Sequence, residues 1–138
     1  MMSAEAEPSG PRLFIGVGCR RDCDAEAIRA VINAACANLE LADAAGLFTV
    51  EGKHREAGLH EAARTLGLSL GFLPADTLAA MAGRTTHRSA RVLAATGTPS
   101  VAEAAALAAA GPGGRLLVPR LAHATATCAV AIRPGEGA

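Results

Sequence analysis

The stretch RLFIGVGCRRD, residues 12–22, runs an apolar segment into Gly16 and Gly18 and then into Arg20 and Arg21. Glycines between a strand and a helix let backbone come close to a ligand, and helix N-termini favour anions. Guanidinium groups bind carboxylates or phosphates through paired hydrogen bonds, so two adjacent arginines point to an anionic ligand. The dinucleotide fingerprint GxGxxG fails because the third residue after Gly18 is Arg21, and no Gly-Lys-Ser/Thr follows to make a Walker A loop. Spacing alone leaves two readings open. Either this is a loop for an anion other than an ordinary nucleotide, or the glycines ease a turn beside two solvated arginines.

Other stretches carry polar groups at similar places. In TGTPSVAEAAAL (96–107), Ser100 and Glu103 have the spacing of a capping box, in which the glutamate closes back on the N-cap backbone. The box does not account for the crowding of Thr96, Gly97, Thr98 and Ser100 at a strand end, where open α/β sheets gather ligands. The loops 18–23 and 96–100 can line one crevice if the strands before them are parallel neighbours. VEGKHREAGL (50–59) sets Lys53, His54, Arg55 and Glu56 between a strand and a helix, the ordinary composition of a charged helix start. The last segments hold Arg120, His123, Thr125 and Thr127. The histidines His54, His60, His87 and His123 show no metal-binding spacing, so no metal is expected. Glu56, Glu103 and Cys19 are the conceivable bases or nucleophile. Cys19 stands beside two arginines that can lower its pKa, although a buried inert thiol is the more frequent case.

These residues need a scaffold, and the chain alternates strand and helix patterns to supply one. The apolar run 12–18 suits a buried strand, and Ile28, Val31, Ile32, Ala35 and Leu39 then fall on one helical face. GLFTV (46–50) reads as a strand. Leu59, Ala62, Ala63 and Leu66 make a second helix, closed by Gly67. LSLGFL (68–73) is a strand, Pro74 opens a short helix over 75–82, and residues 83–89 form a polar turn. ARVLAAT (90–96) is a strand and residues 100–111 a helix ending in glycine. Two strands near 115–120 and 125–132 are joined by about four residues, which permits an antiparallel pair but no parallel crossover. The pattern predicts an α/β domain with a mixed sheet and a C-terminal β-hairpin.

Composition narrows the partners. The 138 residues carry 13 basic and 13 acidic side chains, so no overall field favours nucleic acid or an anionic membrane. There is no Trp or Tyr, and the aromatics Phe14, Phe48 and Phe72 all fall in expected strands, leaving little to stack on bases. No run is long enough to span a membrane, and MMSAEAEPSGP is acidic rather than basic and then apolar, unlike a secretion signal. Four irregularly spaced cysteines fit reduced thiols in a cytoplasmic protein. We expect a loose lead-in over 1–11, one domain over 12–133 and a loose tail over 134–138.

GVGCRR (16–21), the Lys53, Glu56, Gly58 and Leu59 set, LGFLPADTL (70–78), TGTPSVAEAAAL (96–107) and ATCAVAI (126–132) together resemble the CobE family of cobalamin biosynthesis and the matching C-terminal domain of CbiG proteins. The resemblance spans roughly residues 12–132. One departure is Arg120, where the family pattern leads us to expect lysine; the charge is kept and the geometry changed. The resemblance implies a three-layer α/β/α sandwich acting in corrin-ring construction. It further implies the stand-alone CobE form, because whole CbiG enzymes, which open a lactone on a cobalt-containing precorrin, are longer. A precorrin-type ligand, with acetate and propionate carboxylates around a broad apolar macrocycle, suits a crevice built from Gly16, Gly18, Arg20, Arg21, Lys53, Gly97, Thr98, Ser100, Arg120 and Thr127. The expected role is a carrier or accessory protein without a cofactor of its own, working alone or with another enzyme of the pathway. The alternatives are a hydrolase or rearrangement enzyme resembling CbiG, and a phosphate- or nucleotide-binding module. The lack of an evident acid–base pair favours binding over catalysis.

Overall fold

A computed structural model of the chain describes residues 12–84 and 100–133. The expected strand at 90–96, the turn residues 85–89, and Gly97 and Thr98 lie outside them, as do the two termini.

Five strands form one mixed sheet: β1 (Arg12–Cys19), β2 (Ala44–Val50), β3 (Leu70–Leu73), β4 (Arg115–His123) and β5 (Ala126–Arg133). Their order is β3-β2-β1-β5-β4. β1 pairs in parallel with β2, and β2 with β3. On its other side β1 runs antiparallel to β5 over its whole length, from Arg12 opposite Arg133 to Cys19 opposite Ala126. β4 and β5 form the expected hairpin, through Ala124 and Thr125 rather than a link of about four residues, with Ala124 in the left-handed region at φ 54°.

Alternation along β1 sorts the core into two layers, because successive side chains in a strand point to opposite faces. Leu13, Ile15 and Val17 face one cluster, which takes in Ile28, Val31 and Ile32 of helix α1 (Ala25–Ala35) and Leu59, Ala62 and Ala63 of α2 (Ala57–Leu66). Leu39, the last residue of the expected α1 face, lies beyond the helix but still packs on that cluster. Phe14 points the other way, onto Ala106, Leu107 and Ala110 of helix α4 (Val101–Ala110), and helix α3 (Ala75–Ala79) lies against that layer through Leu78. The result is a three-layer α/β/α sandwich.

Local chemistry explains the ends. Gly67 closes α2 at φ 73°, with its N–H on Arg64 O and the Leu68 N–H on Ala63 O, the paired bonds of a Schellman cap. α3 is shorter than the expected 75–82. The chain tightens through Met81 N–H to Leu78 O and Arg84 N–H to Met81 O, and a 3-10 turn follows at Ala82–Arg84.

The approach of α4 is set by Gly16 and by alanines. A Cβ on Gly16 would collide with the Ala102 carbonyl oxygen and stand 2.7 Å from Ala106 N. Helix backbone therefore rests on strand backbone, and seven of the ten α4 residues are buried.

β4 pairs irregularly. Val118 faces Val130 and Leu121 faces Cys128, so Pro119 and Arg120 share the single residue Ala129. Proline has no N–H to give the ladder, which suits it to this bulge.

Candidate functional site

The carboxyl end of β1 gathers most of the expected residues. Arg20, Arg21 and Asp22 follow the strand as an exposed turn, closed by Cys23 N–H on Arg20 O at 3.2 Å. Asp22 has φ 60°, a conformation that aspartate tolerates better than most residues. Its N–H donates to Glu56 Oε1 at 2.7 Å. The Arg20 N–H donates to Thr125 O at 3.1 Å, and Cys23 Sγ lies 2.9 Å from Thr125 Oγ1. The arginine turn is thus tied to the start of α2 on one side and to the β4–β5 hairpin on the other.

A further restraint comes from Gly58. Any side chain there would strike Cys23 O, so the first turn of α2 sits directly against the entry to α1. This gives each member of the Lys53, Glu56, Gly58 and Leu59 set a physical task. Lys53 supplies a charge close enough to act on Cys19, Glu56 holds Asp22, Gly58 allows the close approach, and Leu59 is wholly buried.

Gly18 lies at the other side of the same strand end. A Cβ on it would come 2.6 Å from Thr127 Oγ1, 3.6 Å from Val101 Cβ and 3.8 Å from Ala102 N. Thr127 Oγ1 donates to Gly18 O at 3.4 Å. Ser100 caps α4, its Oγ accepting the Glu103 N–H at 3.4 Å. The two neighbours of β1 in the sheet are β2 and β5, so Ser100 comes to this rim because α4 crosses over Gly16 and Gly18.

The N-termini of α1, α2 and α4 therefore reach one edge of the sheet, where their partial positive charges add to Arg20, Arg21 and Lys53. Among the described residues, the side chains of Arg20 and Arg21 make no ion pair or hydrogen bond. Arg120 stands apart from them on β4, half-buried.

Three expectations need correction. Gly16 is no rim residue: it lies inside the sheet, paired with Phe48 and Ala129, and its open side is filled by α4. Cys19 is not activated by its arginines. Burial raises its pKa to about 11, Cys23 and Glu56 push it the same way, and Lys53 opposes them too weakly. The Glu103 carboxylate reaches beyond its own helix. It is completely buried, and its Oε2 accepts the Arg120 N–H at 2.9 Å, from a strand 17 residues on.

Of the three proposed bases or nucleophiles, Glu56 and Glu103 thus hold backbone N–H groups and Cys19 is a neutral thiol at ordinary pH. His54 and His60 lie elsewhere, at ring contacts with Phe72, and His60 Nε2 bonds His54 O at 2.7 Å. Among the described residues no three His, Cys, Asp or Glu side chains gather as a metal site, and no helix is long and apolar enough to cross a membrane. Asp22 and Thr125 escaped the sequence reading as anchors. An aspartate three residues after a strand end, in a turn that needs a left-handed residue, was the available signal for the first.

Comparison with known proteins sets this rim in a family. The family model described as "Cobalamin synthesis G C-terminus" matches residues 13–131. A Sinorhizobium protein named Protein CobE is 34% identical over 131 residues, covering 94% of this chain and 85% of that protein. The crystal structure of CobE, a protein from the cobalamin (vitamin B12) biosynthetic pathway, superposes with a TM-score of 0.81 at 34% identity, over 93% of this chain and 98% of the other. The cobalamin biosynthesis protein chiG from Agrobacterium tumefaciens gives 0.67 at 40% identity, over 86% and 96%. A putative cobalamin biosynthesis protein G homolog from Sulfolobus solfataricus shares the fold at 19% identity with a TM-score of 0.62, this chain covering 38% of its length. The chain belongs to the cobalamin synthesis G C-terminus family and is a protein of cobalamin biosynthesis.

Proposed function

We propose that this chain binds a precorrin-type tetrapyrrole in the cytoplasm, as a carrier or accessory factor in corrin-ring formation. The observation that carries the reading is the dispersal of its cations across the sheet. Lys53 follows β2 and Arg20 and Arg21 follow β1, whereas Arg120 sits on β4 inside the rim, at the level of Ala129 and Gly16. Three strand spacings separate β2 from β4, on the order of 14 Å. A single phosphate is held by groups converging on one point, whereas carboxylates around the periphery of a macrocycle call for cations spread in this way. The large apolar side chains exposed among the described residues, Leu117 and Leu121, lie on the same strand as Arg120 and offer contact to an apolar ring. The absence of an activated thiol or a free carboxylate pair in the described part of the rim favours holding over turnover.

The test is a spectrophotometric titration with precorrin intermediates and hydrogenobyrinic acid, followed by gel filtration. The expected result is about one macrocycle co-eluting per chain, with a spectrum that does not evolve. Replacing Arg20 and Arg21 together by alanine is expected to weaken binding about tenfold or more, the scale of lost hydrogen bonds to charged groups, without unfolding the domain. A spectrum that changes under substoichiometric protein would replace the carrier reading with catalysis. Unchanged affinity in the double variant would remove the arginine turn from the site.

A further inference from the structure

Glu103 has no surface exposure, yet its carboxylate is spent on a backbone group of a distant strand. The irregularity of β4 shows why that bond matters. With Pro119 and Arg120 sharing Ala129 as their one partner, the Arg120 N–H leaves the ladder and points at α4, where Glu103 Oε2 receives it. Without an acceptor there, a half-buried backbone N–H on this edge strand would lose its protein partner. Within the sheet the strand could recover the bond by closing the bulge and re-pairing, and a one-residue slip turns side chains to the opposite face of a sheet. Arg120 would then change faces.

We propose that Glu103 is the positioning residue for Arg120: it holds the bulge at Pro119 open and so fixes the face on which the Arg120 guanidinium meets the ligand. The inference rests on the tetrapyrrole-binding reading for its consequence, and on the bulge geometry for its cause. It also accounts for a fully buried carboxylate in the first turn of an alanine-rich helix whose other buried side chains are apolar. The capping box explains the Ser100 end of that turn and not the direction of the Glu103 carboxylate.

The experiment compares Glu103→Gln, Glu103→Leu, Arg120→Ala and the Glu103→Leu/Arg120→Ala double variant, reading two quantities. One is hydrogen exchange of the Arg120 amide by NMR, which needs no ligand. The other is affinity for hydrogenobyrinic acid. Glutamine keeps an oxygen acceptor, so Glu103→Gln is expected to retain both Arg120 protection and affinity within about threefold. Glu103→Leu is expected to lose the protection and about tenfold in affinity, as much as Arg120→Ala, with no further loss in the double variant. Arg120 exchange that stays slow in Glu103→Leu would overturn the proposal, as would losses that add in the double variant. If the unmutated chain bound no macrocycle, the tetrapyrrole reading would fall, and unchanged Arg120 exchange in Glu103→Leu would still separately refute the positioning role.

Discussion

Gly16→Ala probes the tightest space found at any glycine among the described residues. The added methyl would overlap the Ala102 carbonyl and stand 2.7 Å from Ala106 N and 3.0 Å from Ala102 C. Comfortable contacts between heavy atoms lie near 3.5–4.0 Å, so α4 must retreat by about 1 Å or more. The colliding atoms are backbone on both sides, and no rotamer change relieves them. Overpacking of a core ordinarily costs about 1–3 kcal/mol, and a clash without a flexible partner belongs at the upper end, about 3 kcal/mol or more. For a domain of this length each kcal/mol lowers the melting temperature by about 3–5 °C, so the variant should melt about 10–15 °C early. With no Trp or Tyr, the assay is far-UV circular dichroism against temperature and urea rather than intrinsic fluorescence. Gly113→Ala is the control, since nothing lies within 4 Å of its added methyl, and it should stay within about 0.5 kcal/mol. A Gly16→Ala protein melting within about 3 °C of the parent would show that α4 is not seated on this glycine.

Thr49 is fully buried and its hydroxyl has no hydrogen-bond partner among the described residues, so Thr49→Val should raise stability by about 1 kcal/mol in the same urea series. Burial raises the thiol pKa of Cys19 to about 11, and raises those of Cys36 and Cys128, so folding favours their neutral forms. That stabilisation is complete below the ordinary thiol range near 8.5 and is lost as pH rises through the folded values, so melting temperature should fall above about pH 9, less steeply in Cys128→Ala. Glu56→Gln keeps an oxygen for the Asp22 N–H and should leave ligand binding within about twofold, whereas Glu56→Ala should loosen the arginine turn and weaken it. Loss of a catalytic rate in Glu56→Gln with binding intact would instead assign Glu56 to proton transfer.

Periodicity made α1 and α2 legible because each buries one face on a single layer, and Gly67 announced its own cap. The hairpin was equally plain from the short link between its strands. What local pattern does not carry is the order of strands. Nothing in GVGCRR says that its strand sits between β2 and the last strand of the chain. The fate of the site residues turned on that order. Gly16 looked like a partner to Gly18, yet two residues along a strand moved it from the rim to the underside of α4. The neighbours of Cys19 in sequence left both activation and inert burial open, and the core that half-buries it decides for the inert thiol. Glu103 fitted a local box, and its decisive bond runs to a strand whose bulge depends on pairings between β4 and β5.

The pairing of Arg12 with Arg133 has a consequence for how the protein is made. β1 leaves the ribosome well before β5, with three of the described strands and every described helix between them in the chain. Until β5 arrives, one whole side of an apolar central strand is an open edge, able to pair with another nascent chain. Contacts so distant in sequence also form slowly, because the intervening loop must close before they contribute. The domain therefore cannot complete its core until β5 has been made. The interval between the emergence of β1 and the docking of β5 is when this chain is most exposed to aggregation, and a chaperone acting then would act on the bare edge of β1.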